Sequence, residues 1–248
     1  MNEASFAQAM ELRDRGQESA AIELLRSMLS EATSAEDRIS ILLNLVTCYA
    51  RLGQIEQSRA LAEQACTIAR EQGNRQLSLC AEYLRAIDEF DDAKQLQMLE
   101  QLQRDYPDLL ASPEQAAVAI ELEQRIAVAL TNLQRFDEAI PLLERALSRP
   151  ETNHQRMHLF LALCRIQTGA IDEGIAEYEQ SASGEDDSVA AEANYALGVL
   201  AWNRRDYHRS RSYFSEVVRK PGNNPNAPEL AANANQLILR IDQYIAQH

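Results

Sequence analysis

The stretch Leu52-Gly53-Gln54-Ile55-Glu56-Gln57-Ser58 joins the end of one apolar helical pattern to the start of another. A glycine turn is followed by a helix that reaches a small residue within its first turn. Three later stretches repeat the turn and the small residue, although only the second of them has a glycine in the turn: Leu133-Gln134-Arg135-Phe136-Asp137-Glu138-Ala139, Thr168-Gly169-Ala170-Ile171-Asp172-Glu173-Gly174 and Arg204-Arg205-Asp206-Tyr207-His208-Arg209-Ser210. Such recurrence along one chain is typical of helix–turn–helix repeats.

Small residues mark the period of these repeats. In the first helices they are Ala9, Val46, Ala81, Ala127, Ala162 and Gly198, at successive spacings of 37, 35, 46, 35 and 36 residues. In the second helices the matching residues are Ala21, Ser58, Ala93, Ala139, Gly174 and Ser210. A regular period in this range predicts an all-α fold, an α-solenoid of about six units with no sheet.

The repeats are predicted to form a single domain over residues 1–248, because each unit of a solenoid packs only on its neighbours. Their predicted bounds are 3–32, 35–72, 75–105, 113–149, 153–183 and 187–220, with a C-terminal capping helix at 227–246. The long spacing places an insertion at residues 106–112, either an inert spacer or part of a binding surface. After it, Ser112-Pro113-Glu114-Gln115 predicts an N-cap and capping box opening a helix.

Composition restricts the classes of partner. The chain is 46% hydrophobic and carries a net charge of −14. Nucleic-acid binding needs a basic surface, so nucleic acid is not an expected partner. The sequence contains neither an apolar run long enough to span a membrane nor a secretory signal, so we expect a cytoplasmic protein without membrane insertion.

The repeat pattern resembles the tetratricopeptide repeat (TPR) family. The resemblance is clearest in the sixth repeat, at Asn194, Leu197, Gly198, Ala201, Ser210 and Phe214. It implies a right-handed superhelix whose first helices line a concave groove for a peptide or helix of a partner protein. Some members of the family bind the C-terminal carboxylates of chaperones through Lys and Asn residues on successive first helices. In this chain the corresponding positions hold Leu43, Thr47, Ser78 and Glu82, so a chaperone carboxylate is not an expected ligand.

The same geometry predicts the residues that line the groove. They are Leu43, Thr47, Arg51, Glu82, Arg85, Gln124, Val128, Leu159, Leu163, Ile166, Tyr195, Val199 and Trp202. Trp202 is the only tryptophan, and it is either a binding anchor in the groove or part of the core between repeats.

A basic cluster follows in the sixth repeat. It consists of Arg204, Arg205, Arg209 and Arg211, with Arg219 and Lys220 nearby. These side chains are either solvated or contact an acidic partner, for which another copy of this chain is one candidate.

No pattern in the sequence points to catalysis, a cofactor or a metal. Nucleotide-binding, zinc-protease and nucleophile-elbow motifs are absent. His154 and His158 could share a helix face, but no third ligand is evident. The acidic run at residues 88–92 is expected to be solvated, and the four cysteines are expected to be core thiols.

The sequence therefore predicts a non-enzymatic adaptor or scaffold that binds a protein or peptide in a groove. Two alternatives remain open: a self-assembling homo-oligomeric repeat protein, and a peptide-sensing regulatory module.

Overall fold

The computed structural model describes residues 2–150, 152–223 and 226–247. Among these residues every regular element is helical, and no β-strand is present. The chain divides between Ala129 and Leu130 into two compact units, called here the N-terminal unit and the C-terminal unit.

The N-terminal unit contains three antiparallel helix pairs. The helices are α1 (Glu3–Asp14), α2 (Glu18–Glu31), α3 (Ala35–Arg51), α4 (Ile55–Glu71), α5 (Arg75–Ile87), α6 (Asp92–Asp105) and the short α7 (Pro107–Leu110). A 3₁₀ turn at Pro113–Gln115 leads into α8 (Ala116–Asn132), which crosses the division between the units. The insertion therefore includes a short helix, and Ser112 makes no side-chain cap, contrary to the predicted capping box.

The C-terminal unit continues the alternation of helices. Its helices are α9 (Phe136–Leu147), α10 (His154–Gln167), α11 (Ile171–Ala182), α12 (Asp187–Asn203), α13 (Tyr207–Arg219) and α14 (Ala227–Gln247). Helices α1, α3, α5, α8, α10 and α12 are called first helices below, and α2, α4, α6, α9, α11 and α13 second helices. Each unit has the helix–turn–helix construction of an α-solenoid, which confirms the predicted fold class.

Close contact between paired helices explains the small residues. The Ser58 hydroxyl donates to the carbonyl oxygen of Val46 at 3.1 Å, and the Ser210 hydroxyl donates to that of Gly198 at 2.8 Å. A Cβ added to Gly174 would lie 2.9 Å from the carbonyl oxygen of Ala162. In these three repeats the second helix therefore crosses directly over the backbone of its first helix, where a larger side chain does not fit.

One of the predicted small positions is wrong. Ala93 is exposed, and Gln95 occupies the corresponding part of α6, where its amide donates to the carbonyl oxygen of Glu89 at 3.0 Å. The reason is that four residues link α5 to α6, whereas three link α3 to α4. The fixed spacing of 12 residues fails in this repeat, and α5 contacts α6 much less extensively than α3 contacts α4.

Turn geometry explains the recurring glycines. Gly53 and Gly169 adopt φ values of +70° and +92°, in the left-handed region where glycine carries no Cβ penalty. The equivalent turn positions hold Gln134 at +60° and Arg205 at +62°. The turn therefore keeps its shape even where the glycine is replaced.

The last helix covers the end of the C-terminal unit. Ala234 and Ile241 of α14 are fully buried against Phe214 and Val217 of α13. This packing confirms the predicted capping helix.

Candidate functional site

The first helices α10 and α12 of the C-terminal unit carry several of the predicted groove residues. Helices α10 and α12 contact each other directly. Leu163 and Val199 each follow the small residue of their helix by one position, and Val199 leaves 37% of its surface exposed. The predicted groove residues Leu159 and Tyr195 lie one turn earlier and are half-buried, Leu159 beside Leu197 and Tyr195 edge-on to Phe214 at 5.4 Å.

Two other predicted groove residues of this unit face the second helices. The Ile166 side chain lies against Gly174 of α11, where an added Cβ would meet it at 2.7 Å. Trp202 lies edge-on to Tyr207 at 5.1 Å and to Tyr244 of the capping helix at 6.4 Å. Both residues follow their small residue by four positions, one helical turn, and that turn faces the partner helix. Trp202 therefore packs in an aromatic cluster with α13 and α14.

The predicted groove residues of the N-terminal unit are mostly half-buried. Leu43 packs against the core cluster around Leu42 and Ala81, and the Thr47 hydroxyl donates to the carbonyl oxygen of Leu43 at 3.1 Å. Arg51 is exposed and donates to the carbonyl oxygen of Arg13 at 3.1 Å. Gln124 and Val128, on α8, are also half-buried.

Glu82 and Arg85, also predicted to line the groove, make ion pairs with α4. Glu82 accepts two hydrogen bonds from Arg70 of α4, at 2.9 and 2.7 Å, and Arg85 lies 3.8 Å from Glu63 of the same helix. Both side chains therefore contact the second helix of the preceding repeat.

A cavity of about 420 Å³ opens beside these two residues. Its lining consists of Glu82 and Arg85 from α5 and Lys94, Gln97, Met98, Gln101 and Leu102 from α6. It lies where the two helices of the repeat make little contact. The volume is within the usual range of ligand sites, and the irregular connection between α5 and α6 is the only sequence signal that could have indicated it.

An arginine surrounded by glutamates lies in the C-terminal unit. Arg165 of α10 contacts Glu144 of α9 at 2.9 Å and Glu177 and Glu173 of α11 at 2.7 and 3.6 Å. Glu177 also bonds the Nδ1 atom of His158 at 2.5 Å. The predicted histidine pair is thus divided, since His154 is exposed while His158 belongs to this network. In the sequence, the seven-residue spacing of His158 and Arg165 places both on one helix face, and this spacing is the signal that could have indicated the network.

Ion pairs within the chain involve most of the basic cluster. Arg204 reaches Asp172 at 2.8 Å, Arg211 reaches Asp242 at 2.6 Å, and Lys220 reaches Asp187 at 3.2 Å. Arg209 lies 3.6 Å from Asp206, and Arg205 occupies the left-handed turn position. Arg204, Arg211 and Lys220 thus link neighbouring helix pairs through exposed ion pairs.

Asp88 departs from the expectation that residues 88–92 are solvated. It is only 7% exposed, and burial raises the pKa of its carboxyl group although Ser58 bonds to it. The Ser58 hydroxyl has one hydrogen but two acceptors nearby, the Asp88 carboxylate and the carbonyl oxygen of Val46. A proton on Asp88 would satisfy both contacts.

The described residues offer no metal centre or reactive thiol. They contain no group of three or more His, Cys, Asp or Glu side chains able to hold a metal ion. Burial raises the pKa of Cys66 to about 11 and also raises those of Cys48, Cys80 and Cys164. Such thiols stay protonated and behave as small apolar groups. None of the described helices is long and apolar enough to cross a membrane.

The fold defines a helical-repeat protein built from helix–turn–helix units. Sequence profiles of the tetratricopeptide repeat match residues 39–72 and 125–188. The chain therefore contains tetratricopeptide repeats in these two segments, as the sequence pattern indicated. No curated protein matches its sequence.

Solved structures share the fold at low sequence identity. A Rap protein complexed with competence and sporulation factor is 15% identical, with a TM-score of 0.63 over 98% of this chain and 75% of that one. YrrB, described as a TPR protein with an unusual peptide-binding site, is 15% identical, with a TM-score of 0.52 over 86% of this chain and 97% of that one. A thermophilic TPR protein of Thermus thermophilus is 18% identical, with a TM-score of 0.52 over 79% and 99% of the two chains.

Proposed function

We propose that this chain is a non-enzymatic, cytoplasmic scaffold that binds a peptide or helix of a partner protein on the faces of its first helices. The observation that carries the proposal is the apolar surface that α10 and α12 present side by side, with Val199 exposed and Leu163 half-buried. An amphipathic partner segment would bury these side chains and thereby gain hydrophobic stabilisation.

The helices themselves supply little polar recognition at this surface. Their backbone groups are already hydrogen-bonded within the helix, so specificity must come from side chains. Because the repeats hold the first helices in fixed positions, a partner would find its binding surface already formed. The peptide-binding site named for YrrB supports this class of partner but does not identify it.

A site-specific cross-link tests the proposal. A photoreactive amino acid is placed at Val199 and, as a matched control, at the exposed Gln180 of the second helix α11. Irradiation in the source cells followed by mass spectrometry should yield a covalently joined partner from position 199 and not from position 180.

Affinity measurements with the purified partner make the test quantitative. Val199→Asp places a charge in the apolar contact and should weaken binding by about tenfold or more, while Gln180→Asp should leave it unchanged. Equal capture at both positions would contradict the proposed surface. Cross-links only to further copies of this chain would favour self-assembly instead.

A further inference from the structure

The cavity between α5 and α6 contains more positive charge than its own acids neutralise. Glu82 is held by Arg70 through two hydrogen bonds to one carboxylate oxygen. Arg85 pairs with Glu63 at 3.8 Å, and the side chain of Glu63 is 66% exposed. The Nε atom of Arg85 is buried and has no hydrogen-bond partner among the described residues.

Lys94 adds a second cation to the same cavity. It lies on the exposed side of the lining, and no ion pair of its ammonium group is seen within the described part of the chain. A buried guanidinium N–H without an acceptor costs free energy, which a ligand accepting that hydrogen bond would recover.

Arg165 provides an internal comparison. Like Arg85, it belongs to a first helix and faces the second helices on either side, but three glutamates of this chain surround it. At Arg85, α6 supplies Lys94, Gln97 and Met98 to the cavity, and no carboxylate. The chain therefore surrounds Arg165 with three carboxylates, whereas Arg85 has one exposed glutamate at 3.8 Å and lines an open cavity.

We propose that this cavity binds the carboxylate of an aspartate or glutamate side chain of a partner peptide. Arg85 and Lys94 supply the charge-assisted donors, and Met98 and Leu102 form an apolar wall for the methylene groups. The inference rests on the proposed function only in taking the ligand to be a protein segment. The net charge of −14 repels acidic peptides at long range, so binding depends on these local cations.

A pair of synthetic peptides tests the ligand class. One fluorescent peptide carries adjacent glutamates between serine and glycine residues, and its counterpart carries glutamines. Fluorescence anisotropy with the full chain should show binding of the glutamate peptide and at least about tenfold weaker binding of the glutamine peptide. Inorganic phosphate, used alone as a competitor, separates a free-anion site from a peptide site.

Matched variants test the location. Lys94→Gln and Arg85→Gln should each weaken binding of the glutamate peptide by about tenfold, with circular dichroism confirming that the variants are folded. Lys220→Gln is the control, because Lys220 is the only other lysine and pairs with Asp187. A zero-length carbodiimide cross-link should join a peptide carboxylate to Lys94 and not to Lys220.

Each result decides the proposal. Equal binding of the two peptides, unchanged binding by the Lys94 and Arg85 variants, or displacement by phosphate at the affinity of the peptide would overturn it. Val199→Asp, which tests the first-helix surface, should leave the glutamate peptide bound as before. Loss of that peptide from both Val199→Asp and Lys94→Gln would contradict a separate cavity site.

Discussion

Gly198 shows how a single hydrogen atom in place of a side chain determines the approach of two helices. A Cβ at this position would lie 2.7 Å from the ring of Phe214, which is 1% exposed and enclosed by core residues. Glycine in a helix normally costs about 0.5–1 kcal/mol relative to alanine, whereas overpacking costs about 1–3 kcal/mol. The steric effect is therefore expected to outweigh helix propensity.

We predict that Gly198→Ala lowers the free energy of unfolding by about 1–2 kcal/mol. Urea denaturation followed by circular dichroism measures this change. Val199→Ala, at the next and exposed position, should change stability by no more than about 0.5 kcal/mol. A gain in stability from Gly198→Ala would show that the contact with Phe214 can relax.

Asp88 is predicted to make stability depend on pH. Its folded-state pKa is raised by burial, so the folded chain binds this proton more tightly than the unfolded chain. Stability from this group is therefore present at low pH and is lost as pH rises from the ordinary value of about 3.9 through the raised pKa.

We expect Asp88→Asn to remove that loss, so the variant should gain stability relative to the natural chain as pH rises. Unfolding free energies of both proteins across the acidic range measure the effect. Glu89→Gln should show the opposite trend, because backbone hydrogen bonding lowers the pKa of Glu89. Parallel pH profiles for the natural chain and Asp88→Asn would rule out a perturbed Asp88.

Predictability differs sharply between individual positions. Ala139 and Ser210 could be placed in the core from their spacing alone, since that spacing reflects a repeated crossing of two helices. Ala93 and Asp88 could not, because the α5–α6 connection is longer and its effect on the register emerges only once the chain is folded.

Truncation of a side chain to alanine is expected to destabilise the protein strongly on the buried face of the capping helix and very little on its exposed face. Ile241 is fully buried against α13, while Leu239 of the same helix is 63% exposed. Ile241→Ala should cost about 2–5 kcal/mol through lost burial and a residual cavity. Leu239→Ala should change stability by about 0.5 kcal/mol or less. Thermal unfolding of both variants measures this contrast, and equal losses would contradict the packing of α14.

Helix pairing was predictable as an element pattern, but the side chains between helices were only partly so. Four positions after the small residue, Ile166 and Trp202 turn toward second helices, while Leu163 and Val199 remain on the outer face. Distinguishing these directions requires the rotation of each helix about its axis, and an error of one residue changes that rotation by about 100°.

The charge of the whole chain predicts its response to salt. A net charge of −14 produces self-repulsion in the folded state, while the ion pairs described above are mostly exposed and individually weak. Raising NaCl from about 20 to about 200 mM screens both effects. We expect the melting temperature to rise, as measured by calorimetry; a fall would show that the ion pairs outweigh the repulsion.

The class of protein was predictable because periodicity is a property of the entire sequence. The partner was not, since recognition depends on a few local features such as the exposed Val199 and the cavity around Arg85. Those features arise where the repeats depart from one another, and a period carries no information about such departures.

The ion pairs between helix pairs have a consequence for the speed of folding. Arg204–Asp172, Arg211–Asp242 and Lys220–Asp187 join residues 32, 31 and 33 positions apart, close to one repeat length. A chain held together by partners this near in sequence closes only short loops on the way to its native state. Low contact order of this kind is associated with fast barrier crossing, so each unit should refold within milliseconds, adding one helix pair to the next.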